Sequence, residues 1–149
     1  MKEVYIHYGA DHFDKTLFKP VKNQPYLWTK PEGGTGFWAC SKNDKYGWVE
    51  WCQDNDFKAD DYYDKHFEFT LTDDARVIYI YTLEDLHMLP IITNEIGMEY
   101  VDFEKAAEDY DAIQVCDVDA VYLNPGGLDL YGWDCNCILI MNAEIVEEV

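Results

Sequence analysis

The sequence predicts an α+β fold, and three observations carry that prediction. Strand-like stretches outnumber helical ones, the helical runs are short, and neither a βαβ glycine fingerprint nor a P-loop glycine motif occurs. The 149 residues suffice for one domain with a real core, so residues 1–149 are read as a single unit.

Val4–Gly9 reads as the first strand. Alternation places Tyr5 and His7 on one face and Val4, Ile6 and Tyr8 on the other. Residues 12–32 hold Pro20, Pro25 and Pro31 with several lysines, which predicts an ordered but irregular excursion with a single turn near 14–18. Gly33-Gly34-Thr35-Gly36 then allows a turn with positive φ and close backbone approach. Phe37-Trp38-Ala39-Cys40 reads as a short, half-buried strand. Ser41 is the expected N-cap of a helix over about 42–53, with Asp44 at the capping-box position. That helix carries Tyr46, Trp48, Trp51 and Cys52.

Residues 54–64 are acidic and tyrosine-rich, as expected of a surface connection. His66–Leu71 alternates Phe67, Phe69 and Leu71 against polar residues, and Thr72-Asp73-Asp74 turns the chain into a strand over 75–81. Thr82, with Asp85 at the box position, opens a helix that Pro90 ends. Asp102 opens another, reaching about Tyr110 and burying Phe103, Ala106 and Ala107. Ala112–Cys116 is a short strand, and Asn124-Pro125-Gly126-Gly127 is a turn inside a longer loop. Cys137–Met141 is so apolar that both its faces must be covered. This strand and the first are expected to be central and close together.

The net charge is −19. Residues 1–45 carry seven lysines against five acids, a balance of +2, so the remainder holds −21. Such a surface disfavours direct contact with nucleic-acid phosphates and suits a basic protein partner. No apolar run reaches membrane-spanning length, and Met1–His7 lacks a leader-like apolar stretch, so a cytoplasmic location is expected. The five cysteines form an odd, scattered set that suits free thiols. Cys135 and Cys137 share a strand face but lack a second Cys/His pair, so they are read as packing and no metal site is assigned.

Three features recur in chain order: His7 on the first strand, Gly34-Thr35-Gly36-Phe37-Trp38-Ala39 leading into an aromatic helix, and Asp134/Asn136 at the entry to the last apolar strand. This order resembles the ADP-ribosyltransferase fold, in its His–Tyr–Glu branch that includes diphtheria-type toxins and poly(ADP-ribose) polymerases. The resemblance implies a mixed, mainly antiparallel split sheet with short helices and NAD as co-substrate. It implies that His7 donates to the adenosine ribose and that the Tyr8 backbone bonds the nicotinamide amide. Trp38 and Tyr46 or Trp48 would sandwich the nicotinamide ring, with Ser41 near its carboxamide.

The chain departs from the family pattern where Trp38 replaces a tyrosine and where Asn136 occupies the expected glutamate position. Asp134, two residues earlier, is then the candidate carboxylate. The activity implied is transfer of ADP-ribose to a protein or nucleic acid. The competing expectation is a non-enzymatic acidic protein that occupies, and so inhibits, a basic partner site.

Overall fold

A computed structural model describes residues 2–58 and 60–149. Met1, at the start expected to lack a leader, and Ala59, within the expected 54–64 connection, lie outside the described residues. The chain runs through β1 (Tyr5–Tyr8), β2 (Phe37–Ser41), α1 (Trp48–Asp54), β3 (His66–Leu71), β4 (Val77–Ile80), α2 (Leu83–Leu86), β5 (Ile91–Thr93) and β6 (Glu99–Val101). It continues through α3 (Phe103–Asp109), β7 (Ala112–Val115), α4 (Val118–Val121), β8 (Cys137–Ile140) and β9 (Val146–Glu148). Single 3₁₀ turns occur at Lys15–Leu17, Asp60–Asp64 and Ala143–Ile145.

Among the described residues, seven strands form one mixed sheet in the order β4-β7-β8-β2-β1-β3-β9, and β5 and β6 make a separate hairpin. All pairs are antiparallel except β4 with β7. The α+β class and the mainly antiparallel sheet expected from the sequence are therefore present. β1 and β8 are both interior and flank β2 on either side.

β2 is where the two halves of the sheet part company. Its first three residues pair with β8, through Phe37↔Ile140, Trp38↔Leu139 and Ala39↔Ile138. Its last two pair with β1, through Tyr5↔Ser41 and Ile6↔Cys40. Beyond Ile6 the β1–β2 ladder stops, and β1 continues only along β3 as far as Tyr8↔His66. The divergence leaves a gap between Tyr8 and Trp38.

A hydrophobic cluster packs on each face of the sheet. Leu139 and Met141 point into a larger cluster with Ile80, Phe103, Ile113 and Trp133. Ile138 and Ile140 point into an aromatic one with Tyr5, Phe67 and Phe69. Successive side chains of a strand alternate, so an all-apolar β8 serves both clusters at once, as its composition requires. Gly36 locks the glycine turn onto this strand. Its φ is +61°, and an added Cβ would lie 2.8 Å from Val21 Cγ1 and 2.9 Å from the Ile140 carbonyl.

The expected helix over 42–53 is shorter. Ser41 is the last residue of β2, held by its pairing with Tyr5, and is not an N-cap. The helix starts at Trp48 behind Gly47, whose N–H donates to Glu50 Oε2 at 3.1 Å. Asp44 instead accepts from the Tyr46 N–H within the intervening turn. The Thr82–Asp85 capping box forms with both reciprocal bonds, and Asp102 caps α3 through the Lys105 N–H.

Asp111, 5% exposed, ties β4, β7 and the exit of β8 together. Its carboxylate accepts from the Arg76 N–H (2.9 Å), Arg76 Nη2 (3.0 Å) and Asn142 Nδ2 (3.0 Å). Burial alone would push this carboxyl up, but the bonds from Arg76 and Asn142 outweigh it and hold it below the usual range. A depressed folded-state value stabilises above the unfolded-state value and is lost as pH falls through the folded one. Urea stability of the protein is therefore expected to drop below about pH 4. Asp111→Asn should flatten that limb and cost about 1.5–3 kcal/mol at pH 7; an unchanged acid limb in this variant would refute the assignment.

Candidate functional site

A cavity of about 290 Å³ opens at the gap between β1 and β2. β1 lines it with Ile6, His7 and Tyr8, and β2 with Trp38, Ala39 and Cys40. Trp48 of α1 and Tyr62 close one side. Trp133, Asp134, Cys135 and Cys137, at the end of the 122–136 loop and the start of β8, close the other, and Lys30 reaches in from the irregular N-terminal excursion.

The walls are fixed by specific bonds. Trp133, 1% exposed, meets Trp38 edge-on at 4.7 Å and donates from Nε1 to the Thr29 carbonyl at 2.7 Å. The Thr29 hydroxyl in turn donates to the Tyr131 carbonyl, so the 29–30 strap is stitched to the loop that carries Asp134. On the other side Trp48 stacks on Trp51 (5.3 Å, 7° between planes) and donates from Nε1 to the Tyr62 hydroxyl at 3.1 Å. Lys30 Nζ stands 4.0 Å from Asp134 Oδ2 and 5.7 Å from the centre of the Trp28 ring. Both members of this pair are only about a quarter to a third exposed (30% and 27%). Asp134 is the one carboxylate among the described lining residues.

His7 does a different job from Trp38. Where the β1–β2 ladder ends, the Trp38 carbonyl loses a backbone donor, and His7 Nδ1 bonds to it instead. The ring packs on Phe37 and Phe67, at 5.5 and 5.2 Å, in the aromatic cluster. Burial lowers the His7 pKa from its ordinary value despite the carbonyl bond, so the ring is neutral at pH 7. A carbonyl accepts only, which assigns the proton to Nδ1 and leaves Nε2 as an acceptor. The expectation that His7 donates to a ribose is thereby altered: Nε2 can accept from a hydroxyl.

Of the other residues singled out in the sequence, Tyr8, Trp38, Trp48 and Asp134 border the cavity, whereas Ser41, Tyr46 and Asn136 do not line it. Ser41 sits in the β1–β2 ladder. Tyr46 lies in the turn before α1, and its carbonyl accepts from the Asn136 N–H at 3.2 Å. The side chain of Asn136 is spent on the framework. Oδ1 accepts from the Val118 N–H at the start of α4 (2.8 Å), and Nδ2 donates to Asp44 (3.2 Å). The Tyr8 carbonyl accepts a long bond (3.4 Å) from the Tyr62 hydroxyl.

Trp133, Tyr62 and the thiol of Cys40 escaped the sequence reading. Trp133 stands directly before the candidate acid Asp134, a tryptophan–acid pair that could have drawn attention to it. Cys40 and Tyr62 carry no such mark. Among the described residues, no group of three or more His, Cys, Asp or Glu side chains is arranged to hold a metal ion. No helix is long and apolar enough to cross a membrane among those residues. Comparison with known proteins finds no matching family model, curated protein or solved structure.

Proposed function

We propose that the cavity holds the nicotinamide end of NAD and that the protein is a small ADP-ribosyltransferase-like enzyme with Asp134 as its carboxylate. One observation carries this reading. Strands β1, β2 and β8 lie side by side, so His7, Trp38 and Asp134, dispersed along the sequence, border one aromatic cavity. The divergence of the sheet along β2 supports a split-sheet, ADP-ribosyltransferase-like arrangement.

Size and chemistry agree with that ligand. The volume sits at the low end of ligand pockets, about 300 Å³ and upward, so it suits a nicotinamide riboside head with the remainder of NAD across the mouth. Lys30, which lines the same cavity, carries the positive charge a pyrophosphate requires. Oxidised nicotinamide is a flat cation, and tryptophan faces attract cations as well as aromatic rings. Trp48, rather than Tyr46, is the partner to Trp38 in this arrangement. Cleavage of the nicotinamide–ribose bond builds oxocarbenium charge, which the Asp134 carboxylate offsets. His7 Nε2 accepts from a ribose hydroxyl. An acidic surface selects a basic protein as acceptor, and the same charge favours the simpler reading of an inhibitor seated on a basic partner.

A ligand bound only by the folded state raises stability, by about 2.7 kcal/mol at a hundred times its Kd. NAD is therefore expected to raise Tm by roughly 5–10 °C for a chain of this size. NADH, whose reduced nicotinamide ring is uncharged, should do so less, and Trp38→Ala should remove most of the shift. The absence of any shift with NAD, or a full shift in Trp38→Ala, would refute the proposal.

A further inference from the structure

Three of the five cysteines converge on the cavity wall. Cys40 on β2 and Cys137 on β8 lie one step past the last ladder pair, Ala39 with Ile138. Cys135 precedes β8 and lines the same cavity wall, where its thiol interacts with those of both neighbours. Cys40 and Cys135 are 5% and 3% exposed, whereas Cys137 is partly exposed. The result is a row with one open end, facing a cavity large enough to admit a small molecule. Packing explains a buried thiol singly; it does not explain three cysteines side by side on a cavity wall, the last of them partly exposed.

We propose that Cys137, Cys135 and Cys40 form a thiol-oxidation site, which takes a disulfide-bonded small thiol at Cys137 and ends as a Cys40–Cys135 disulfide in the cavity wall. The Cys137 thiolate attacks one sulfur of the incoming disulfide, forms a mixed disulfide and expels one small thiol. Cys135 attacks the Cys137 sulfur and expels the second. Cys40 attacks the Cys135 sulfur and returns Cys137 to the thiol. In sum, two protein thiols lose two electrons and two protons, and the incoming disulfide gains them as two small thiols. Cys135 and Cys137 are separated by one residue, which makes a lasting bridge between them strained, whereas Cys40 and Cys135 meet across the fold.

The Cys135 thiol and burial push Cys40 above the ordinary thiol range, and the Cys137 thiol and burial push Cys135 up against the lowering effect of Cys40. The buried members therefore hold little thiolate, and the internal steps run on the slow, minutes-to-hours scale of uncatalysed exchange. Drawing two thiols from contact to bonding distance pulls Cys135, and with it Asp134 and Trp133, toward β2. Oxidation thus reshapes the cavity whatever ligand it takes, and the site stands independently of the NAD reading.

The test needs no NAD. The folded protein is incubated with oxidised glutathione, quenched with acid, unfolded, and assayed for free thiols, with peptide mapping by mass spectrometry. The expected product has three free thiols and a Cys40–Cys135 linked peptide, and dithiothreitol reverses it. Tryptophan emission falls in step, because disulfides quench and Trp38, Trp48 and Trp133 line the cavity. Cys135→Ser should stop at a glutathione adduct on Cys137, with its far-ultraviolet circular dichroism and Tm checked for folding, and Cys116→Ser should behave as the parent protein. Should Cys135→Ser fail to fold, Cys137→Ser serves, with strongly slowed oxidation expected. Five free thiols after incubation, a lasting adduct in the parent protein, or an internal disulfide between any other pair would overturn the proposal.

Discussion

Asp134→Ala is expected to lower nicotinamide release from NAD by about 10²–10³-fold, the usual effect of removing one preorganised charge or donor. The substitution separates chemistry from folding. The side chain is 27% exposed, and its one ion-pair partner, Lys30, stands at 4.0 Å. A pair so loose and partly solvated contributes under about 1 kcal/mol, so Tm should change little. Asp134→Asn should lose as much activity as the alanine variant, because charge rather than shape offsets an oxocarbenium. Asn136→Glu is no route to gain, since it would sacrifice the bonds to Val118 and Asp44 that hold α4 and the turn before α1. Nicotinamide release measured by chromatography checks this directly, and turnover preserved in Asp134→Ala would end the catalytic assignment.

Trp133→Ala is expected to cost about 3–5 kcal/mol, the range for truncating a buried tryptophan, and to abolish ligand binding as well. Trp133 is 1% exposed, so its removal leaves a void in the larger core cluster. It also frees the Thr29 carbonyl and leaves the strap that presents Lys30 held to this loop only by the Thr29 hydroxyl bond to the Tyr131 carbonyl. Trp133→Phe keeps most of the bulk but not the donor, so it should fall between, about 1–3 kcal/mol for the unsatisfied acceptor. Urea denaturation read by circular dichroism measures both. A loss under 1 kcal/mol in the alanine variant would contradict the packing described.

Much of this arrangement was legible in the sequence wherever one rule acted locally. Strict alternation marked β3, an all-apolar run marked β8, and side-chain caps marked α2 and α3. The single turn near 14–18 appears at Lys15–Leu17, capped by Asp14. Where no side chain announces a boundary, the reading slipped. α1 begins behind Gly47, which has no capping side chain, while Ser41 looks like a cap but is held in the sheet by Tyr5. β5, β6 and β9 are three residues each, too short for periodicity to register, and α4 is one turn held from outside by Asn136. The parallel pairing of β4 with β7 is a tertiary fact that neither strand encodes alone.

The site divides in the same way. His7, Trp38 and Asp134 could be marked as a set from their order along the chain, and all three border the cavity. What each side chain does there depended on the point where the β1–β2 ladder ends. That break leaves the Trp38 carbonyl to be met by His7, and no property of either residue foretells it. The contact of Cys40 with Cys135 likewise rests on β2 and β8 being neighbours.

A crystal structure of the protein with NAD bound tests the central claim most directly. The account predicts the nicotinamide ring between Trp38 and Trp48, its ribose within reach of Asp134, and the pyrophosphate beside Lys30 in place of the Lys30–Asp134 contact. A nicotinamide ring lodged outside this cavity, with Trp38 and Asp134 untouched, would contradict it.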